Sequence, residues 1–485
     1  MKNYQKFVRL VAPMESDGKI RWKSLWVIYS VANLYFLLTW NALLWDAWYL
    51  YQKPENIVFV ERNCPIDRCK VPFVYLFEQP LIEVGVWTLK ALTILSFALG
   101  GWIFWKILGY LRGLTEFQRS LSTILFLLLP INGARVGLST VRASLLLTVF
   151  LLGVLFLIRR QLFVNFVGLT LVFYACFWQS FQVYLIVVPA LLLMIDYQTT
   201  GTVARRTWWV TASLSAMPFV HQLFVVQLIV DLGFAGPDSG YNNIRASSLL
   251  RALLICGVMS APLTVQIIQN IQKSISTRLW TLSLVRIGLA LLALGSFPYM
   301  VVGHFATFSD WVVTWLPDTS DWNSRHQLLQ GPGFALIFTG LASSIIESRR
   351  HIYASGLITV SVIISVVVFS NYYIDALKQR DVIEFLQSAR KALSSVNLFL
   401  VVDNARDLNA RGRTIRDNEW QSIFELVLER PLTVTDELTD VSPISGCETR
   451  AVGKVATITK VSGRLRPKLF RNRVVDVAIS DLISC

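Results

Sequence analysis

The chain has 485 residues, of which 54% are hydrophobic and 16% are charged, and its mean hydropathy is +0.53. This composition is too apolar for a soluble globular protein and indicates an integral membrane protein. The formal net charge is +14, but the basic residues fall in short runs between apolar segments rather than on one stripe or arm. Nucleic acid is therefore not an expected partner.

Apolar runs that are long enough, or nearly long enough, to cross a bilayer occur about eleven times along the chain. They lie at residues 25–44, 86–108, 120–134, 143–158, 162–178, 180–195, 208–232, 248–270, 280–303, 331–347 and 352–372. Some of these runs are short, which is also typical of tilted or re-entrant segments. The pattern predicts an α-helical polytopic protein of the plasma (inner) membrane.

The basic residues also predict an orientation, because Lys and Arg concentrate in the short cytoplasmic loops of membrane proteins. When the N-terminus is placed inside, every inside connection is basic. These residues are Lys2, Lys6, Arg9, Lys19, Arg21, Lys23, Lys106, Arg112, Arg119, Arg159, Arg160, Arg205, Arg206, Lys273, Arg278, Arg349 and Arg350. The polar N-terminal lead has no cleavable signal pattern, so the first span is expected to remain as a signal anchor. An odd number of spans places the C-terminus outside.

These assignments divide the chain into three regions. They are a cytoplasmic segment at 1–24, a transmembrane domain at 25–372 with long outside loops at 45–85 and 304–330, and an extracytoplasmic domain at 373–485. In the last region, residues 383–393 have helical spacing and residues 397–402 read as a buried strand that ends at Asp403. Residues 450–475 alternate like hairpin strands, so a small α/β or α+β domain is predicted.

Four cysteines lie in the predicted outside regions: Cys64, Cys69, Cys447 and Cys485. The first two bracket a turn, Cys64-Pro-Ile-Asp-Arg-Cys69, and are candidates for a disulfide in an oxidising compartment, as are the last two. Cys176 and Cys256 fall in apolar runs and are expected to be buried, inert thiols. No second Cys or His pair stands at zinc-ligand spacing, so neither a metal nor another cofactor is expected.

One resemblance is visible in the order of features. Trp45-Asp46-Ala47-Trp48-Tyr49 ends the first span and opens a long outside loop, and Phe77-Glu78-Gln79-Pro80-Leu81 leads into the second span. With the stretches 127–135 and 177–184, this order resembles the GT-C superfamily of membrane glycosyltransferases across most of residues 20–372. The resemblance implies a sugar donor on a polyprenyl-phosphate or polyprenyl-diphosphate carrier, used at the outer face of the membrane.

Asp46 is the predicted catalytic residue. A carboxylate at the end of a membrane span is costly unless it has a function, and an inverting transfer needs one base to take the proton of the acceptor hydroxyl. The family often has an acidic pair at this place, whereas residue 47 here is Ala. A single base without a metal is therefore expected, because a hard divalent ion prefers several carboxylates. The alternative reading is that Asp46 is a helix cap or an interfacial anchor.

The phosphate of the carrier requires a cation near the headgroup plane, and Arg325, just before the span at 331–347, is the predicted ligand. His326 is a possible additional hydrogen-bond donor or simply a neighbour. Glu78, Arg135 and Arg142 are further candidates for substrate binding. For the arginines the alternative is an interaction with lipid headgroups, and for Glu78 it is a solvated loop charge.

The sequence therefore predicts a glycosyltransferase that moves a sugar from a polyprenyl-linked donor to an extracytoplasmic glycan, lipid or protein. Two other classes remain open: a flippase or transporter of lipid-linked glycans, and a non-catalytic assembly partner in the membrane. A polymerase or ligase that relies on outside arginines is a third variant. No Walker-type phosphate loop or nucleophile elbow is found in the sequence, so direct use of cytoplasmic nucleotides is not expected.

Overall fold

The computed structural model describes residues 12–15, 17–39, 42–44, 79–111, 113–131, 141–159, 161–178, 187–200, 203–220, 246–270, 277–301, 327–410, 413–435, 453–461 and 474–481. The helices are α1 Trp22–Ala32, α2 Leu34–Leu38, α3 Gln79–Val84, α4 Val86–Leu108, α5 Glu116–Leu128, α6 Val141–Ile158, α7 Leu162–Trp178, α8 Val187–Thr200, α9 Arg205–Val220, α10 Ala246–Asn270, α11 Thr277–Val301, α12 Gly331–Ser343, α13 Glu347–Ala389 and α14 Asp417–Leu428. The strands are β1 Leu398–Asp403, β2 Thr433–Thr435, β3 Gly453–Lys460 and β4 Val475–Asp481.

Within these residues, three helices are long and apolar enough to cross a membrane: Val86–Leu108, Ala246–Gln266 and Glu347–Ala389. Shorter apolar helices coincide with four other predicted runs, at Ala143–Ile158, Leu162–Cys176, Val187–Tyr197 and Leu284–Pro298. The prediction of a mostly helical chain with a small C-terminal sheet is confirmed, and these three helices are candidate membrane spans. The predicted number of about eleven spans stays a prediction. The expected burial of Cys176 and Cys256 is confirmed as well.

The first predicted run, 25–44, is interrupted in the structure. Helix α1 ends at Ala32, and the short α2 follows Asn33. The Asn33 side chain donates from Nδ2 to the carbonyl of Tyr29 at 2.7 Å. Asparagine bonded to its own preceding turn competes with regular helix geometry, which explains a break that hydropathy does not reveal.

Helices α11 and α12 pack closely because each has a glycine at the crossing point. A Cβ atom added at Gly288 would lie 2.6 Å from the carbonyl oxygen of Gly333, and one added at Gly333 would lie 2.8 Å from that of Gly288. Small residues that allow two backbones to approach are typical of helix contacts in membranes. In the same region Gln330 donates to the hydroxyl of Ser296 at 2.7 Å.

The last helix is longer than its apolar run. The sequence predicted a span at 352–372 and a separate helix at 383–393, but α13 runs without a break from Glu347 to Ala389. Beyond residue 372 its buried face also includes the charged residues Asp375, Lys378 and Asp381. These charges pack against the C-terminal fold beside the apolar Val382 and Leu386, so polar as well as apolar tertiary contacts stabilise this part of the helix.

The C-terminal sheet has the strand order β2-β1-β3-β4. Strand β1 is parallel to β2 and β3, and β3 is antiparallel to β4. Helix α14 covers the sheet, and the rings of Phe399 and Phe424 lie 4.8 Å apart between them. The predicted strand at 397–402 is thus confirmed as β1. Of the strands predicted at 450–475, β3 lies within that stretch, whereas its antiparallel partner β4 begins only at Val475.

The core of this small fold extends onto the helices that precede it in the chain. Leu43, Val86 and Leu89 belong to the same buried cluster as Val382 and Leu386 of α13. The end of the first helical region, the start of α4 and the C-terminal half of α13 therefore meet the small fold in one place. We call this place the junction, defined by residues 39, 42–44, 86–90 and 368–382 together with residues 398–410 and 413–419.

Candidate functional site

Most residues predicted for the site lie outside the described part of the chain: Asp46, Glu78, Arg135, Arg325, His326, Cys64, Cys69, Cys447 and Cys485. Arg142 is the second residue of α6, and its side chain is also outside that part. The described residues nearest to Asp46 in sequence are 42–44, which belong to the junction. The geometry of the junction therefore shows what surrounds the entry to the first long loop.

Lys90 fixes the segment that leads to Asp46. Its side chain is buried near the start of α4. Its Nζ donates to the carbonyl oxygen of Ala42 at 2.8 Å and also to that of Thr39. The chain is thus held from both sides of residues 40 and 41, a few residues before Asp46.

Leu44 adds an apolar anchor to this segment. It is buried in a cluster with Phe36, Phe369, Tyr372 and Ala410. The rings of Phe36 and Phe369 meet edge to face, with centroids 5.6 Å apart. The segment before Asp46 therefore packs against α13 and against a residue of the C-terminal fold.

Next to this cluster, the junction contains a network of buried charged and polar side chains. Its members are Asp375 and Lys378 of α13, Asp403 at the end of β1, Asn409, Arg413, and Glu419 of α14. The network thus contains two cations and three carboxylates. Charges are buried in this way only when each is paired and hydrogen-bonded, and the contacts of this network meet that requirement.

Lys378 ties α13 to the end of β1. Its side chain is 0% exposed, and its ammonium group lies 2.6 Å from both carboxylate oxygens of Asp403. It also donates to the side-chain oxygen of Asn409 at 2.6 Å and to the carbonyl of Ala405 at 3.1 Å. The Asp403 carboxylate in turn accepts from the backbone N–H of Ala405 at 3.0 Å. This set of bonds fixes the turn that follows the strand.

Arg413 ties α13 to α14. Its Nε donates to Asp375 Oδ2 at 2.8 Å, and its Nη1 donates to the two oxygens of Glu419 at 2.8 and 2.9 Å. Burial alone would lower the pKa of Arg413, but the charges of Asp375 and Glu419 raise it above its ordinary value. Asp375 also accepts from the backbone N–H of Ala410 at 3.1 Å. The guanidinium is therefore a permanent cation that joins two elements of the fold.

Sequence reasoning did not single out this network. The sequence does contain a signal for it: Asp375 and Lys378 follow the apolar run at 352–372 and are three residues apart. This spacing places both side chains on one face if the helix continues. Their partners, 25 and 38 residues further along the chain, follow from no local pattern. The network has the chemistry of a rigid support rather than of a reaction centre, since each of its cations already contacts carboxylates.

Among the residues that the structure describes, no group of three or more His, Cys, Asp or Glu side chains is placed to hold a metal ion. Comparison with protein-family models, curated proteins and solved structures finds no match. The fold and the junction define a mostly helical protein with candidate membrane spans and a small C-terminal sheet of mixed strand direction. The residues of the chain itself are therefore the basis for its proposed function.

Proposed function

We infer that this chain is a polytopic membrane glycosyltransferase of the GT-C type. In this proposal Asp46 is the general base and Arg325 binds the phosphate of a polyprenyl-linked sugar. The observation that carries the proposal is the fixed entry to the first long loop. Lys90 and Leu44 hold residue 39 and residues 42–44 against α4, α13 and the C-terminal fold, and a catalytic group needs such a rigid support to keep its geometry.

The topology in the proposal is the one predicted from charge, with about eleven spans, the N-terminus in the cytoplasm and the C-terminal fold outside. Contacts between the connections support it. The N-terminal segment approaches Phe117, because a Cβ at Gly18 would lie 2.8 Å from the backbone nitrogen of Phe117. The ring of Phe117 lies 5.3 Å from that of His351. Three connections assigned to the inside thus meet at one end, while the junction gathers connections assigned to the outside.

The proposed reaction is an inverting transfer. Asp46 accepts the proton of the acceptor hydroxyl, and the oxygen attacks the anomeric carbon of the donor sugar. The bond from that carbon to the carrier phosphate oxygen breaks, and the polyprenyl phosphate leaves with the electron pair. Arg325 stabilises the charge that develops on this leaving group. His326, Glu78, Arg135 and Arg142 are proposed to contribute to substrate binding, and the acceptor is a glycan, lipid or protein.

The proposal is tested by a transfer assay in membranes that contain the full chain. A panel of polyprenyl phosphates, each carrying one tritiated monosaccharide, is supplied with the glycans, lipids and proteins of the host envelope as acceptors. We expect transfer from at least one donor by the wild type, none by Asp46→Asn, and normal transfer by Glu55→Gln, which removes a different loop carboxylate. Full activity of Asp46→Asn, or no transfer from any donor by the wild type, contradicts the proposal.

A further inference from the structure

A cavity of about 480 Å³ lies where three helix connections meet: the end of α4, the turn between α6 and α7, and the turn between α8 and α9. Its lining includes Tyr110, which follows Lys90 by 20 residues along α4 and its C-terminal turn. At 1.5 Å per residue this is about 30 Å. The cavity therefore lies at the opposite end of α4 from the junction. Its volume is in the range of sites for small molecules.

The lining has two chemically different parts. The inner wall is apolar and consists of the buried side chains Leu157, Leu192, Ile195 and Val210. The polar part of the lining has the exposed Arg159 and Gln161 and the half-buried Arg206, which form its mouth, and the buried Asn165 and Thr207. A hydrocarbon wall beside a cationic mouth fits an amphiphilic ligand whose polar end is negative.

The position of Arg206 at the mouth is fixed by polar contacts. Its Nη1 donates to the backbone carbonyl of Arg159 at 3.2 Å. The buried amide of Asn165, in the orientation that satisfies its neighbours, accepts from Arg206 Nε at 3.3 Å. The guanidinium is thus held at the C-terminal end of α6, where the helix dipole favours a cation.

One carboxylate also lines the cavity, and it has a structural role. Asp196 is buried, and its Oδ2 accepts from the backbone N–H of Ala204 at 2.6 Å and from the hydroxyl of Thr207 at 2.9 Å. These bonds close the turn between α8 and α9. With two arginines against one aspartate in the lining, the cavity has a positive balance.

Exposed aromatic side chains flank the mouth. Trp208 and Trp209 follow Arg206 and are 56% and 66% exposed, and Phe163, two residues after Gln161, is 78% exposed. Exposed aromatic residues at helix ends are typical of the membrane interface, where their rings lie at headgroup level. The same aromatic pattern favours a position of the arginines at the mouth close to the level of lipid phosphates.

We propose that this cavity binds a phosphate ester. The positive charges of Arg159 and Arg206 attract the phosphate oxygens, because a guanidinium group keeps its charge and is only weakly hydrated. The apolar wall receives the first carbons of the attached chain. The aromatic flank favours a membrane phospholipid as the source of the phosphate, and free phosphate shares the same head chemistry. This site is separate from the proposed transfer site and does not depend on it.

The test uses the purified full chain in nanodiscs of phosphatidylcholine. Binding of a short-chain fluorescent phosphatidic acid is titrated for the wild type, for Arg206→Gln, for Arg159→Gln and for Arg205→Gln. Arg205 is the matched control, since it is the exposed neighbour of Arg206 and does not line the cavity. Arg159→Gln keeps the backbone carbonyl that Arg206 contacts, so it provides a second variant if Arg206→Gln fails to fold.

We expect saturable binding by the wild type. The affinity should fall about 10-fold or more in Arg206→Gln and in Arg159→Gln, because each loses a charged partner of the phosphate. It should fall less than about 2-fold in Arg205→Gln, which keeps both partners. Competition by millimolar inorganic phosphate would show that the phosphate group alone is recognised and that the free ion also occupies the site, whereas failure of phosphate to compete would show that binding requires the lipid chain on the apolar wall. An equal loss in Arg205→Gln, unchanged binding in both cavity variants, or no saturable binding by the wild type would overturn the proposal.

Discussion

Removing the Arg413 guanidinium should destabilise the C-terminal fold far more than removing an exposed arginine nearby. In Arg413→Gln, the carboxylates of Asp375 and Glu419 lose their shared cation while they remain 0% and 2% exposed. Deleting one partner of a buried ion pair typically costs about 3–5 kcal/mol. Asp375 keeps the hydrogen bonds from Gln379 and from the Ala410 backbone, so we expect the lower end of that range, about 3 kcal/mol.

The matched control is Arg390→Gln. Arg390 also joins the end of α13 to the end of α14, through Glu429, but these side chains are 47% and 66% exposed. An exposed ion pair contributes about 0–1 kcal/mol. The two variants remove the same group between the same two helices and differ mainly in burial.

The assay is hydrogen–deuterium exchange of the full chain in nanodiscs, read on peptides from β1 and α14. A loss of about 3 kcal/mol corresponds to exchange that is about 100-fold faster, and the control should change exchange by less than about 5-fold. Burial raises the pKa of Glu419. Without its cation, Glu419 binds its proton more readily in the folded state than in the unfolded state, so the variant should lose stability as pH rises. Equal exchange rates in the two variants would show that burial does not make the Arg413 ion pairs more important for stability than the exposed Arg390 pair.

Three further predictions concern packing, the junction and the first loop. Gly333→Ala should lower the melting temperature in detergent, because overpacking costs about 1–3 kcal/mol, whereas Gly257→Ala, with open space around it, should leave it unchanged or raise it; equal shifts would contradict the close helix contact. Lys90→Met leaves the carbonyls of Thr39 and Ala42 without their donor, which should cost about 1–3 kcal/mol of local stability. The amides of residues 34–44 should therefore exchange about 10-fold faster, and an unchanged exchange rate would show that Lys90 does not fix the segment. Cys64 and Cys69 should resist maleimide before reduction and react after it in intact cells; labelling without reduction would contradict the disulfide.

The helical part of the fold followed from the sequence because hydropathy is a local property. Runs such as 86–108 and 162–178 became helices with the same bounds, and the apolar stretch that leads to Asp403 became β1. The break at Asn33 was missed because one side-chain hydrogen bond produced it. The extension of α13 was missed for another reason. Its polar residues are stabilised by contacts with residues that lie further along the sequence, in the C-terminal fold.

The candidate site was less accessible from sequence than the helices. The sequence pointed to Asp46 from the end of an apolar run, and the structure adds the buried support before it. That support depends on contacts between residues about 50 positions apart, such as Lys90 with Thr39 and Ala42. A lysine at the start of an apolar helix reads as an interfacial charge, and only the tertiary fold turns it into a buried anchor.

The proposed transfer site requires Asp46 and Arg325 to face one pocket. Cysteine cross-linking with a short thiol-reactive reagent tests this directly, in a chain whose native cysteines are replaced by serine. We expect a cross-link in the double variant Asp46→Cys with Arg325→Cys. Ser296→Cys with Gln330→Cys is the positive control, since those side chains are in hydrogen-bond contact, and Asp46→Cys with Arg205→Cys is the negative control. If the positive control forms and the Asp46–Arg325 pair does not, the two residues do not share a pocket and the proposed transfer site is wrong.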